Sequence, residues 1–224
     1  MTYLAAQLPG FLETCRRQRP KDQRFLPLII PYFCPGEVLE IGAGCGQLAE
    51  LLARRGLRVT ASDLESFFVQ YQESRGLKSR IVDATDILSG AGRQFDNILT
   101  QGVTTLVTND LKLVERTYRS VWTALRPGGR FIFVFPNAYS RSDKPWSRMS
   151  DHWPIIERVG FRRVAHFRNQ VFPSKWYHFL PSWLTCPVEW TIGARIGLRN
   201  VLVLEKPRST CSTPGASMPK WSAA

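Results

Sequence analysis

Apolar residues recur along this chain with two different periods, and the periods alternate. Seven short runs have strand length and composition: "EVLEI" (37–41), "RVTAS" (58–62), "SRIV" (79–82), "FDNILT" (95–100), "RFIFVF" (130–135), "FRRVAHF" (161–167) and "NVLVLEK" (200–206). Between them the spacing changes to three and four. Residues 47–54 put Leu48, Leu51 and Leu52 on one helical face, and 64–74 is a second helix. The clearest helix is 109–125, where Leu111, Val114, Tyr118, Val121, Trp122 and Leu125 form a stripe that "RPGG" terminates. A further helix covers 151–160, with Pro154 tolerated in its first turn. Strands alternating with helices over short connections predict a mostly parallel, doubly wound α/β sheet covered on both faces.

Three regions fall outside that rhythm. Residues 1–34 form an N-terminal arm and helical segment, with a charged connector through "RRQRPKDQR" (16–24). Residues 168–199 hold Phe172, Trp176, Tyr177, Phe179, Trp183 and Trp190 between the last two strands, which predicts a packed aromatic insertion in the single domain spanning 35–206. Residues 207–224 have the composition of a flexible tail.

The first strand runs into "GAGCG". Gly42, Gly44 and Gly46 allow a tight turn and let backbone amides approach a ligand. A dinucleotide fingerprint would need glycine at position 47, which is Gln47, and the lysine and hydroxyl residue of a triphosphate loop are missing. Asp63, at the end of strand two, is placed to accept hydrogen bonds from two ribose hydroxyls, and Asp83, after strand three, from an exocyclic adenine amine. Glu40 would repel a pyrophosphate but suits an ammonium or sulfonium. Together these residues describe a pocket for adenosine attached to a positive group.

Charge and cysteine content narrow the partners. Thirty Lys and Arg against 18 Asp and Glu give a formal +12, which favours anionic partners, although only 16–24 is densely basic. Cys15, Cys34, Cys45, Cys186 and Cys211 are widely spaced, form no CxxC and follow no apolar leader, so free thiols in a cytoplasmic, reducing setting are expected. The three histidines have no metal-ligand spacing, and no metal is expected. No apolar run has membrane-spanning length.

The ordered set "VLEIGAGCGQLAELLARRGLRVTASDLE", "IVDATDI", "FDNILTQGV" and "LRPGGRFIFVF" resembles the successive motifs of the class I S-adenosylmethionine-dependent methyltransferases, in particular those acting on small molecules. The resemblance covers about 35–206. It implies a Rossmann-like seven-stranded sheet of order 3-2-1-4-5-7-6 with the last strand antiparallel, and S-adenosylmethionine across the carboxyl ends of the strands. By that pattern Glu40, Gly42, Ala43, Gly44 and Gly46 surround the methionine portion. Asp63 and Leu64 flank the ribose, Asp83, Ala84 and Thr85 the adenine, and Gln101 and Gly102 close over the sulfonium side.

A sulfonium methyl is already activated, so alignment of the acceptor supplies much of the rate. His152, following strand five, is the expected general base if one is used, with Asp151 capping the same helix; the alternative for His152 is a helix-start residue without a chemical role. Tyr139, Trp176, Tyr177 and His178 are candidate acceptor contacts, and the aromatic group, with Phe179 and Trp183, forms either an apolar wall or a satellite core. His166, alternating with apolar neighbours, belongs to a core or edge.

After strand four the chain reads "TQGVTT", without the Pro-Pro aromatic motif of planar-amine methylation or a Pro-Cys nucleophile. The expectation is therefore methyl transfer to an O or N atom of a small molecule, anionic or lipid-like, by a monomer or homodimer. RNA as acceptor and a noncatalytic cofactor-binding partner subunit are the alternatives. The first predicts a continuous basic surface at the pocket mouth. The second predicts an exposed apolar patch through 168–190.

Overall fold

The computed structural model describes residues 8–136, 147–172, 174–193 and 196–208. Its elements run α1 (Leu8–Ile29), β1 (Glu37–Ile41), α2 (Gln47–Ala53), β2 (Arg58–Asp63), α3 (Ser66–Ser74), β3 (Ser79–Ile81), α4 (Ile87–Ala91), β4 (Phe95–Gln101), α5 (Leu111–Ala124), β5 (Leu125–Pro136), α6 (Met149–Val159), β6 (Arg162–Asn169), α7 (Ser182–Val188) and β7 (Arg199–Glu205). The seven strands make one sheet of order β3-β2-β1-β4-β5-β7-β6. β1 to β5 are parallel, and β7 runs antiparallel between β5 and β6. Fold class and strand order are those expected.

The period-two pattern of β5 shows how the sheet is covered. Phe131, Phe133 and Phe135 point into one core with Tyr118 and Val121 of α5 and Ile155 and Ile156 of α6. Ile132 and Val134, on the opposite face, join Phe25, Leu26 and Ile29 of α1 and Leu48 and Leu52 of α2. A strand with helices on both faces has to be apolar at consecutive positions, which is why "RFIFVF" shows no polar alternation.

Two boundaries differ from expectation. The charged stretch 16–24 is not a connector: it lies within α1, a helix of 22 residues that carries Pro20 and Pro27. Interior proline disfavours a helix by removing a donor, but burial of Phe25, Leu26 and Ile29 against the sheet overrides that local preference. The short α4 was absent from the sequence pattern because Gly90 and the left-handed Gly92 obscure a helix of only five residues.

α5 starts as its sequence suggests, with the Asp110 side chain accepting from the amides of Lys112 and Leu113 at 3.1 and 3.2 Å. At α6 the carboxylate of Asp151 accepts from the Arg148 amide at 2.8 Å, closing the helix start in the role expected of it.

Candidate functional site

β1 ends at Ile41 and the chain turns back into α2 through three left-handed glycines, Gly42, Gly44 and Gly46, with φ of 65°, 53° and 70°. Each also lacks room for a side chain. A Cβ on Gly42 would lie 2.6 Å from Val103, one on Gly44 2.9 Å from the Phe11 ring, and one on Gly46 2.5 Å from Leu77. The loop is fastened at several points. The Ala43 amide donates to the Ser62 carbonyl at 2.8 Å, Gln72 Nε2 donates to the Gly44 carbonyl at 2.7 Å, and the Ser62 hydroxyl donates to the Glu40 carbonyl at 2.8 Å.

We expect Gly46→Ala to cost about 2 kcal/mol, from the left-handed backbone and the encounter with Leu77, and to lower Tm by about 4–8 °C. Thermal denaturation with an unchanged Tm would show that the loop relaxes at no cost.

Asp63, the last residue of β2, accepts from the Gly44 amide at 2.9 Å through Oδ2 and from the Glu65 amide at 3.1 Å through Oδ1. Burial raises its pKa, with the amides of Glu65, Gly44 and Leu64 acting in the opposite direction. The carboxylate is thus oriented by the same loop it stabilises, and each oxygen retains a lone pair for a further donor. Leu64, next in the chain, is exposed at the position expected to flank the ribose.

Glu40 is buried beneath the loop, and its Oε2 has no hydrogen-bond partner. Burial pushes its pKa well up, reinforced by the neighbouring Cys45, Asp22 and Asp63. An enclosed acid without a donor costs free energy unless a ligand supplies one.

A cavity of about 120 Å³ opens beside it, lined by Glu40, Gly42, Ala43, Gly44 and Gln101 among the expected residues. α1 supplies another wall through Phe11, Cys15, Gln18 and Asp22, none of which the sequence reading nominated. Asp22 accepts from Gln47 Nε2 at 2.8 Å and lies 3.8 Å from the Arg199 guanidinium. Lys21, beside it, is held down to about 8 by burial and by Arg199.

The other expected contacts lie outside that cavity. Asp83 Oδ1 accepts from the amide and hydroxyl of Thr85 at 2.7 and 2.8 Å, a local turn after β3, with Ala84 buried between them. Thr85 borders a separate groove between α4 and α5. Gly102 is left-handed, donates its amide to the Val134 carbonyl at 2.9 Å and has open space where a Cβ would be.

His152, the expected general base if one is used, is enclosed. Its ring is fully buried against Phe133 and Phe135, with Nδ1 2.9 Å from the Tyr118 hydroxyl and Nε2 2.8 Å from the Ser147 hydroxyl. Ser147 donates in turn to the Leu106 carbonyl at 3.3 Å. That chain is satisfied by one tautomer: Tyr118 donates to Nδ1 and Nε2–H donates to Ser147. Burial lowers the His152 pKa to about 4, against a smaller opposing effect of Asp151. The imidazole is a neutral structural link between α5, α6 and the segment after β4.

The aromatic insertion packs on α1 and contributes nothing to the lining of the cavity beside the glycine loop. Tyr177 is buried under the Arg24 guanidinium, 5.3 Å from the ring centroid, and the exposed His178 donates from Nε2 to the Arg17 carbonyl at 2.8 Å. Trp176 is partly exposed and stacks on Phe172 at 6.1 Å. His166, exposed on β6, lies 3.2 Å from Asn200 Oδ1. Tyr139 and Cys211 lie outside the described residues. Among the described residues no group of three or more His, Cys, Asp or Glu could hold a metal ion.

Comparison with known proteins agrees with this fold. Residues 39–133 match a methyltransferase domain family. A ubiquinone biosynthesis O-methyltransferase of Xanthomonas oryzae pv. oryzae is 26% identical over 153 residues, 66% of this chain, and the match spans 59% of that protein's length. Among solved structures, a SAM-dependent methyltransferase from Archaeoglobus fulgidus superposes with a TM-score of 0.63 at 16% identity, covering 88% of this chain and 99% of that one. A glycopeptide N-methyltransferase complexed with S-adenosylmethionine gives 0.59 at 16% identity, covering 85% and 94%.

Proposed function

We propose that this chain is a class I S-adenosylmethionine-dependent methyltransferase that transfers a methyl group to an oxygen or nitrogen of a small molecule by direct in-line displacement. The observation that carries the reading is the buried Glu40 with its unpartnered Oε2 beside the three-glycine loop. An α-ammonium would provide the donor that Glu40 Oε2 lacks. Glu40, Gly42, Ala43, Gly44 and Gly46 then hold the amino-acid end. Asp63 and Leu64 hold the ribose, Asp83, Ala84 and Thr85 the adenine, and Gln101 and Gly102 close the sulfonium side.

The bound cofactor supplies a methyl already activated as a sulfonium. The chain's part is to orient it, exclude water and position the acceptor. A cavity of about 120 Å³ admits only the amino-acid end, and Phe11 lies across the loop at Gly44. With His152 enclosed, no histidine serves as base at this site. The acceptor is then one whose proton leaves readily, such as a phenol, and the relative named for ubiquinone biosynthesis supports an oxygen acceptor.

RNA is the second reading: Arg16, Arg19 and Arg75 line a groove that adjoins the cavity at Cys15, Cys45 and Gln47, whereas Arg119, Arg126, Arg158 and Arg162 are each paired with a carboxylate. Calorimetry with S-adenosylmethionine, followed by transfer of a labelled methyl to a panel of phenols, amines and short RNAs, tests the proposal. Cofactor binding with label on a phenol or amine is expected. Failure to bind the cofactor would end it, and label on RNA alone would replace the acceptor class.

A further inference from the structure

The short helical segments between β6 and β7 place their large apolar side chains on the wrong side for a core. Tyr177 and Thr185 face inward: Tyr177 under Arg24, and Thr185 with its hydroxyl accepting from Arg24 Nη1 at 3.1 Å. Arg24 also donates to the Leu180 carbonyl. Phe179 and Trp183 face outward, 85% and 75% exposed, with Trp176, Leu184, Ile192 and Leu198 also exposed along the same stretch. A satellite core would have enclosed the phenyl and indole and left the threonine in water. This arrangement instead holds the aromatic groups out on a base pinned to α1.

The surroundings give the occupant its charge. His178 ties the segment to the Arg17 carbonyl, and Arg16 and Arg17 extend from that helix with side chains 78% and 75% exposed, sharing the single acid Glu13. A second copy of a chain with a formal charge of +12 would bring arginine-bearing surfaces together. An anionic bilayer accepts both features, burying rings at the headgroup level while its surface potential attracts the arginines. Among the described residues no helix is long and apolar enough to cross a membrane, so the contact lies in the plane of the surface.

We propose that the outward face of 176–192, led by Phe179 and Trp183 and flanked by Arg16 and Arg17, is a docking surface for anionic lipid bilayers. The inference is independent of the acceptor's identity.

Co-sedimentation of the full chain with phosphatidylglycerol-containing vesicles and with pure phosphatidylcholine vesicles tests it. The expected result is pelleting with the anionic vesicles, reduced at high salt. Phe179→Ser combined with Trp183→Ser should lower partitioning about tenfold or more while leaving cofactor affinity unchanged. Arg16→Gln with Arg17→Gln should weaken binding to the anionic vesicles only. Absence of pelleting, or pelleting unaffected by the aromatic variant, overturns the proposal. So does sedimentation velocity showing a wild-type dimer that the aromatic variant dissociates, which would assign the face to a second copy.

Discussion

Asp63→Ala is expected to weaken S-adenosylmethionine binding about a hundredfold, equivalent to about 3 kcal/mol. The proposed ribose contact consists of two hydrogen bonds to a charged acceptor, each contributing on the order of 1.5–3 kcal/mol. The same carboxylate holds the Gly44 amide at 2.9 Å, so its removal also loosens the loop on which the methionine end rests. These losses share one cause and are not additive, which keeps the expectation near the lower end of their sum. Calorimetry on the folded variant measures it. His152→Gln is the comparison, because His152 is buried beneath Phe133 and Phe135 and does not line the cavity. An Asp63 variant that binds as wild type, or a His152 variant that loses more affinity, would reverse the assignment of roles.

The part of the site built within one βαβ unit was legible because local chemistry dictates it. Gly42, Gly44 and Gly46 adopt a conformation that few other residues tolerate, and Asp63 lies at the end of the neighbouring strand. The wall supplied by α1 was hidden for a tertiary reason. Asp22 sits in a run of charges that looks solvated, two residues after a proline that looks like a helix breaker, yet Lys21 and Asp22 are both buried and Asp22 lines the cavity beside the loop. The available signal was the spacing of Phe11, Cys15, Gln18 and Asp22, which repeats every three to four residues along one helical face.

The enclosure of His152 was not legible because "SDHW" at a helix start resembles an exposed polar turn. Its spacing to Ile155 and Ile156 places it on the buried face of α6 with them. Likewise, the number of aromatic residues in the insertion identified a feature but not its direction. Whether Phe179 faces a pocket or water depends on how the segment is pinned to α1, a contact between residues more than 150 positions apart.

The enclosure of His152 makes the protein acid-sensitive in a predictable window. In the unfolded chain the imidazole titrates near its ordinary 6.5, whereas in the fold it resists protonation until about 4. Below 6.5 the unfolded state therefore binds a proton that the native state refuses, and stability falls as pH drops toward 4. A difference of roughly 2.5 pH units corresponds to about 3 kcal/mol, present above pH 6.5 and lost across that interval. The physical cause is the hydrogen-bond chain. A second ring proton on Nδ1 would confront the Tyr118 hydroxyl, forcing it to surrender its donor role, and the charge would sit among phenylalanines. Glu40 and Asp63 act in the opposite sense: their raised pKa values let the native state bind protons more readily, so they lend stability as pH falls. Urea unfolding of wild type and His152→Gln across pH 4 to 7 separates the contributions, since the carboxylates are common to both. The variant should be less stable at pH 7, and the gap should narrow by about 3 kcal/mol toward pH 4. A gap independent of pH would mean that the imidazole titrates in the fold as it does in the unfolded chain, and the tautomer chain from Tyr118 to Leu106 would have to be abandoned.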